Sequence, residues 1–165
     1  MRLDFKSYSV DVDAEATRRA YEALSRTDEA CTCSGCRNFS LAIGDALGEG
    51  GRRFFEELGV DPAKPTEACV DDALGGADGT LLYGAWYRLC GRIERRFELP
   101  PGTTGREWRD AMARDVGDAN VSFSEHVIGG RAGFGGGAVV QMDISARVPW
   151  VLDEPNTYLD TYLDE

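Results

Sequence analysis

The clearest pattern of apolar and polar positions lies between residues 138 and 150. Apolar residues recur there at every second position, namely Ala138, Val140, Met142, Ile144, Ala146, Val148 and Trp150. Polar residues occupy the intervening positions from 141 to 147. Strict alternation is typical of a strand with one buried and one solvated face. We therefore predict a strand in which Met142 and Ile144 are buried and Asp143 is more exposed.

Other segments also show the two-residue period of strands. The predicted strands are 3–12, with a bulge near Lys6 and Ser7, then 67–72, 80–93 and the stretch around Val121, Phe123 and Val127. The bulge is needed because the apolar phase of the first segment changes midway. Turn residues at 75–79 separate two of the strands, which predicts a hairpin.

Four segments carry the apolar spacing of a helical face. The predicted helices are 14–26 with Asp13 as its cap, 36–47 ended by Gly48, Gly50 and Gly51, 52–58 ended by Gly59, and 104–114 with Trp108, Ala111 and Met112 inward. Gly59 suits the left-handed position that often follows a helix.

The order of these elements predicts an α+β fold. Short links between strands favour antiparallel pairing, so we expect a curved antiparallel sheet of about five strands with helices mainly on one face. No composition shift divides the chain, and residues 1–165 are interpreted as a single domain. The acidic segment 153–165 is either docked as a last turn or frayed.

The charge and composition of the chain limit the kinds of partner that we expect it to bind. The chain has 29 acidic and 18 basic residues and a net charge of −11. Such a surface repels phosphate backbones and anionic lipid headgroups, which argues against nucleic acid and membrane partners. The chain has no apolar run of signal-peptide or bilayer-spanning length. We expect a cytoplasmic protein whose five cysteines are reduced.

The feature richest in chemistry is the run Cys31-Thr32-Cys33-Ser34-Gly35-Cys36. Its three thiols converge if the chain turns tightly, and Gly35 favours such a turn. Thiolates bind soft or borderline ions, so the predicted metal ligands are Cys31, Cys33 and Cys36, with zinc as the default ion. A closed tetrahedral site needs a fourth ligand, for which the candidates are Cys69, Cys90, His126 and Glu29.

Two alternatives to a metal site stay open for this cysteine cluster. In the first, the thiols are reduced packing residues between two helices. In the second, they perform thiol chemistry, because Cys36 is predicted at a helix N-terminus beside Arg37, and both features lower a thiol pKa.

A second candidate site is the polar face of the predicted sheet. His126, the single histidine of the chain, is in phase with Ser122 and Ser124, and Gln141 and Asp143 are expected on the same face. These residues could form a polar binding surface or an acid–base pair, or could simply face solvent.

The glycine-rich stretch 129–137 does not match a phosphate-binding loop. It lacks the Gly-Lys-Ser/Thr sequence of such loops and joins two strands instead of opening a helix.

Two local motifs carry a resemblance to a known group. The first is Cys31-x-Cys33-x-x-Cys36-x-Asn38-Phe39, and the second is Phe54-Phe55-x-x-Leu58-Gly59-Val60-Asp61-Pro62-Ala63-Lys64-Pro65. Together they resemble an uncharacterised group of bacterial proteins of about this length. The resemblance spans residues 31–65 and implies a bacterial cytoplasmic origin. It implies nothing about catalysis.

The sequence therefore favours a binding module over an enzyme. We expect a small molecule or a protein as the partner, with the cysteine cluster as a structural site that holds zinc. The alternative is an enzyme that uses the cysteine cluster or the polar face around His126. The oligomeric state is left open.

Overall fold

Strands and helices cover most of the described chain, which comprises residues 1–72 and 79–160 of a computed structural model, without the side chains of residues 72 and 160. The strands are β1 (Arg2–Asp4), β2 (Tyr8–Val12), β3 (Glu67–Asp72), β4 (Thr80–Arg95), β5 (Ala113–Val116), β6 (Ala119–Ser124) and β7 (Val139–Pro149). The helices are α1 (Ala14–Glu22), α2 (Thr27–Ala30), α3 (Ser34–Ala46), α4 (Gly48–Leu58), α5 (Gly105–Met112) and α6 (Thr157–Asp160).

The strands form one antiparallel sheet around the long strand β4. The order is β1-β2-β4-β7-β6-β5, and β3 also pairs with β4. One edge of β4 pairs with β7 over Thr80 to Cys90. The other edge is shared by β3 at Leu82 to Trp86 and by β2 at Gly91 to Arg95. The predicted α+β class with an antiparallel sheet is confirmed, with seven described strands where about five were expected.

The prediction of one bulged strand over 3–12 is wrong, because this segment is a tight hairpin. Leu3 of β1 lies opposite Val10 of β2. The Phe5 amide donates to the Tyr8 carbonyl at 2.8 Å and closes the turn. Since the chain reverses there, both apolar phases point into the core, and the Phe5 and Tyr8 rings stack with their centres 4.5 Å apart. The change of phase that suggested a bulge marks the turn.

The inner face of the sheet carries the core. Alternate β4 residues Leu81, Tyr83, Ala85, Tyr87 and Leu89 are buried there. Phe39 of α3 packs on Tyr83 with ring centres 5.3 Å apart, and Phe55 of α4 packs edge-on to Tyr87 at 5.2 Å. Burial of each such side chain contributes about 1.5–3 kcal/mol to stability. The helices α1, α3 and α4 thus form one layer against this face.

The helix termini that are marked by Asp13 and Gly59 agree with the sequence prediction, whereas another predicted terminus does not. Asp13 caps α1 by accepting from the Ala16 amide at 2.9 Å. Gly59 ends α4 with φ of +76°, as predicted, and a Cβ at this position would come within 2.3 Å of the Ala14 carbonyl oxygen. A glycine there lets α4 end directly against α1. Gly50 and Gly51 lie inside α4, so the prediction that they end a helix is wrong.

Helix α5 begins where predicted and turns Ala111 and Met112 inward as predicted, but not Trp108. The Thr104 hydroxyl accepts from the Glu107 amide at 3.3 Å. The helix ends at Met112, and β5 follows at once. Ala111 is buried, whereas Trp108 is 44% exposed, so the prediction of an inward Trp108 is wrong. The indole instead stands beside the outer face of the sheet.

The remaining predictions concern the hairpins and the C-terminal segment. β3 and β4 pair as predicted, but the turn positions 75–78 lie outside the described residues. The glycine-rich stretch joins β6 to β7. Tyr158 and Leu159 of α6 pack against the core, so the C-terminal segment is docked as far as residue 160. Among the described residues, the helices are too short or too polar to cross a bilayer.

The register of β7 generates the first prediction. Met142 and Ile144 are buried and Asp143 is half-buried, as the alternation predicts. Ile144→Asp should lower the free energy of unfolding by about 3–5 kcal/mol, because it buries a carboxylate without a partner. Urea denaturation measures this change. Arg147→Asp, at an exposed position of the same strand, is the control and should change the value by less than about 1 kcal/mol. Equal losses in both variants would contradict the register.

Candidate functional site

The three cysteines meet at the junction of α2 and α3. Cys31 is the residue that ends α2, Cys33 is the N-cap of α3, and Cys36 lies in the first turn of α3. Their Sγ atoms all lie within 4.8 Å of one another, and those of Cys31 and Cys33 are 3.4 Å apart. The predicted convergence of the three thiols is therefore confirmed.

The local backbone explains this convergence. The Cys31 amide donates to the Thr27 carbonyl at 2.9 Å and closes α2, after which the chain is extended. Cys33 is also extended, and its Sγ accepts from the Cys36 amide at 3.4 Å. A capping side chain folds back over the first turn of its helix. This geometry brings the Cys33 sulfur over Cys36 and leaves Cys31 beside it.

The spacing of the sulfurs suits a single metal ion. A zinc–sulfur bond is about 2.3 Å long, so two thiolates on a tetrahedral zinc are about 3.8 Å apart. The observed separations, from 3.4 Å up to 4.8 Å, bracket this value. Small side-chain rotations would therefore bring all three sulfurs to bonding distance.

Two of the three thiols, those of Cys31 and Cys36, differ in acidity. Hydrogen bonds, first from the Cys33 backbone and then from the Cys33 and Cys36 thiols, lower the pKa of the exposed Cys31 thiol. Burial, with hydrogen bonds to Cys31 and Cys33, raises the pKa of Cys36 to about 12. The prediction that Cys36 has the lowered pKa is wrong. Cys33 takes the capping place, and Arg37 is engaged by Glu154 at 2.6 Å and by the Thr32 carbonyl at 3.1 Å.

The C-terminal segment covers one side of the cluster. A Cβ on Gly35 would lie 2.5 Å from the Tyr158 hydroxyl oxygen, so the glycine makes room for this phenol. Burial raises the pKa of Tyr158, and the thiols of Cys33 and Cys36 add to the effect. From the core side, the Tyr83 hydroxyl donates to the Gly35 carbonyl at 3.0 Å. Sequence reasoning missed Tyr158 because no local pattern connects it with residues 31–36.

None of the four predicted candidates for a fourth ligand reaches the cluster. The Glu29 carboxylate accepts from the Arg26 amide at 2.9 Å. The Cys69 thiol lies 3.2 Å from an Asp71 carboxylate oxygen on β3, and Cys90 is buried beside the Phe134 carbonyl. His126 is close enough to Asp143 for its charge to lower the pKa of that carboxyl group. Within residues 1–72 and 79–160, no other histidine, cysteine or carboxylate joins the three thiols.

The predicted polar sheet face is present, but it is organised around Asp143 instead of His126. Ser122 lies opposite Asp143, and Ser124 lies opposite Gln141. Gln141 is 3% exposed, which contradicts a purely solvated face. Its amide nitrogen donates to Asp143 at 2.7 Å, and its oxygen accepts from the Ile128 amide at 2.7 Å.

This face holds a recess that we call the outer cleft. Its walls and floor include Asp71, Trp86, Trp108, Ser122, Asp143 and Ser145, and it encloses about 290 Å³. Burial raises the pKa of Asp143, while the Gln141 hydrogen bond and the charge of His126 oppose this effect. Trp86 and Trp108 were not predicted here. Trp86 lies two residues from both Gly84 and Arg88 along the strand. This two-residue spacing is the signal that would have placed Trp86 on the outer face.

The glycine-rich loop between β6 and β7 has its own anchor. Arg88 donates to the Gly130 carbonyl at 3.2 Å, and its guanidinium carbon lies 4.8 Å above the centre of the buried Phe134 ring. These contacts hold the loop against β4. The loop therefore has a structural role in the described chain.

The Cys33 cap generates the second prediction. In metal-free protein, Cys33→Ser should be at least as stable as the parent chain, since a hydroxyl is a better acceptor for the Cys36 amide than sulfur. Cys33→Ala should be about 1 kcal/mol less stable than Cys33→Ser, because it leaves that amide without its cap. Urea denaturation with reductant and chelator compares the two. Equal stabilities would show that this cap contributes nothing.

Comparison with known proteins adds no relative. No protein-family model, no curated protein and no solved structure gives a significant match to this chain. The function must be inferred from the two sites themselves.

Proposed function

We propose that this chain is a binding module that holds one thiophilic metal ion at Cys31, Cys33 and Cys36, and that the favoured ion is zinc. The observation that carries the proposal is the convergence of three sulfurs within 4.8 Å at the start of α3. Three thiolates are the ligand set that borderline and soft ions prefer.

The electrostatics of the junction support a cation there. Three thiolates so close together repel each other once they ionise, and a divalent ion neutralises most of that charge. The N-terminal end of α3 offsets a further part through its exposed amides. The guanidinium of Arg37, which follows Cys36 in the chain, contributes a positive charge, although it also forms an ion pair with Glu154.

The fourth coordination position faces outward in this proposal. Cys31 and Cys33 are exposed, and no fourth protein donor joins them within the described residues. A water molecule or a donor atom from a partner would complete a tetrahedral site. The ion would therefore be a point of attachment for a small molecule or protein as well as a structural element.

Metal binding would also stabilise the fold locally. The ligands come from the end of α2, the cap of α3 and its first turn, and Tyr158 of α6 rests on the same turn. A ligand that binds only the folded state stabilises it by RT ln(1 + [L]/Kd), where [L] is the concentration of free ligand. The reduced thiols that such a site needs fit a cytoplasmic location.

Metal content and metal-dependent stability test the proposal. Protein purified without chelator should contain about one equivalent of zinc by elemental analysis. Cobalt added to metal-free protein should give a sulfur-to-cobalt charge-transfer band. Zinc at about 100 times its dissociation constant should raise the free energy of unfolding by about 2.7 kcal/mol.

Variants in which one cysteine is replaced provide the controls. Cys33→Ser and Cys36→Ser should lose the zinc and its stabilisation, and Cys33→Ser keeps a capping oxygen, so its loss of metal is separable from a loss of fold. Cys69→Ser on β3 should retain both properties. Less than about a tenth of an equivalent of zinc in the parent protein, or equal losses in Cys69→Ser, would contradict the proposal.

Thiol–disulfide exchange is a second candidate function, favoured by the 3.4 Å separation of the exposed Cys31 and Cys33 sulfurs. In this reaction the Cys31 thiolate attacks a substrate disulfide and releases one substrate thiolate. The Cys33 thiolate then attacks the Cys31 sulfur and releases the second. The substrate is reduced, and Cys31 and Cys33 are oxidised to a disulfide.

Mass spectrometry after reaction with an aromatic disulfide reagent distinguishes this candidate. Exchange predicts that the parent protein ends with a Cys31–Cys33 disulfide and no bound reagent, whereas Cys33→Ser retains the reagent at Cys31. Retention of one reagent molecule at each of these two cysteines in the parent protein would exclude the second step.

A further inference from the structure

The outer cleft is distinct from the cysteine cluster and lies on the opposite face of the sheet. β4 separates the two, because Tyr83 points toward α3 whereas Gly84 and Trp86 point into the cleft. Trp86 pairs with Asp143 of β7, so the indole and the carboxylate project side by side. Trp108 of α5 also lines the cleft.

The charge of the cleft is negative. Asp71 and Asp143 both line it, and no lysine, arginine or histidine is among the described residues of its lining. Asp71 is exposed, whereas Asp143 is half-buried, and an opposite charge is attracted more strongly to a partly desolvated carboxylate than to one at an open surface. A cation is therefore the complementary ligand.

The aromatic residues of the cleft favour an organic cation over an inorganic one. An indole face attracts a cation through its π electrons, and tryptophan does so best among the aromatic side chains. A pair of indoles near a carboxylate suits an ammonium group that carries carbon substituents, because the carbons pack on the rings while the charge meets the carboxylate. At about 290 Å³ the cleft has room for a small ligand only.

Asp143 is held in position before any ligand arrives. The buried Gln141 amide donates to one carboxylate oxygen at 2.7 Å, and the Ile128 amide fixes the orientation of Gln141. The other carboxylate oxygen makes no hydrogen bond to a described residue. A group fixed in this way loses little entropy when it binds a ligand.

Two smaller residues shape the recess and mark it as a site. Ser122 is 9% exposed and lines the cleft, yet its hydroxyl takes part in no hydrogen bond within residues 1–72 and 79–160. Gly84 makes room for the Asp71 side chain, since a Cβ there would come within 2.5 Å of an Asp71 carboxylate oxygen. A nearly buried hydroxyl with no partner is a free contact for a ligand.

We propose that the outer cleft binds a small organic cation with an ammonium or methylated ammonium group, held by Asp143 between Trp86 and Trp108. The proposal does not depend on metal at the cysteine cluster. It also accounts for the half-buried Asp143 carboxylate, which forms no ion pair within residues 1–72 and 79–160.

The cost of that carboxylate to the fold can be measured. Because burial disfavours the charged form of Asp143, Asp143→Asn should be as stable as the parent protein or more stable at pH 7. Because the folded-state pKa of Asp143 is raised, the penalty is full above that pKa, shrinks as pH falls below it and is gone below the unfolded-state pKa, so any gain in Asp143→Asn should disappear as pH falls through this range. A marked loss of stability at pH 7 would show that the carboxylate serves the fold and would argue against a ligand role.

Nuclear magnetic resonance of the indole N–H groups tests binding directly. The three tryptophans give three signals, which single Trp→Phe variants assign. Tetramethylammonium chloride should shift Trp86 and Trp108 in a saturable way and leave Trp150 unchanged. Trp150 is an internal control, because its N–H is bonded to the Glu154 carbonyl at 2.7 Å, away from the cleft.

Matched ligands and variants complete the experiment. tert-Butanol, a neutral analogue of similar shape, should give no saturable shift. Asp143→Asn should weaken tetramethylammonium binding at least about tenfold, and Trp108→Ala should weaken it as well. Glu107→Gln, on the same helix but outside the cleft, should bind as the parent protein does.

Several results would overturn the proposal. They are the absence of indole shifts at tens of millimolar cation, equal shifts with tert-butanol, and unchanged affinity in Asp143→Asn. Saturable shifts with a neutral sugar such as methyl glucoside, in place of the cation, would assign the cleft to carbohydrate. Sodium chloride at the same concentration separates specific binding from an ionic-strength effect.

Discussion

The antiparallel pairing of β4 with β7 is the constraint on which the rest of the structure depends. Residues Thr80 to Cys90 run against Pro149 to Val139 without a break in register. Because side chains alternate between the two faces, this single register decides what packs under the helices and what lines the outer cleft. A slip by one residue would put Tyr83 and Tyr87 into solvent and Trp86 into the core.

Sequence patterns predicted the parts of the fold that depend on local periodicity. The alternation from Val140 to Val148 predicted β7 and its buried face, and Asp13 and Gly59 marked helix ends by chemistry that acts within one turn. The N-terminal hairpin was missed because the same apolar residues fit a bulged strand. The pairing of β1 with β2 is what separates the two cases.

The candidate sites show the same division. The spacing of Cys31, Cys33 and Cys36 predicted that the thiols converge, since Cys33 and Cys36 lie in the cap and first turn of α3 and Cys31 ends α2 only two residues earlier. The difference in acidity between Cys31 and Cys36 was not predictable from that spacing, because it follows from the hydrogen bonds made to Cys31 and from the burial of Cys36. The outer cleft needed still more information. Trp108 reaches it from α5, and the amphipathic pattern of that helix does not say which face of the sheet it meets.

The dependence of the cysteine junction on the C-terminal segment has a consequence for biosynthesis. Arg37 and its partner Glu154 are separated by 117 positions in the chain. At a translation rate of about 5–20 residues per second, the segment that covers the thiols leaves the ribosome roughly ten seconds after the thiols do. During that interval Cys36, which is half-buried in the folded protein, is as open to oxidation or to metal as Cys31 and Cys33, which stay exposed. The order of synthesis therefore leaves one side of the cluster uncovered until Tyr158 packs against Gly35.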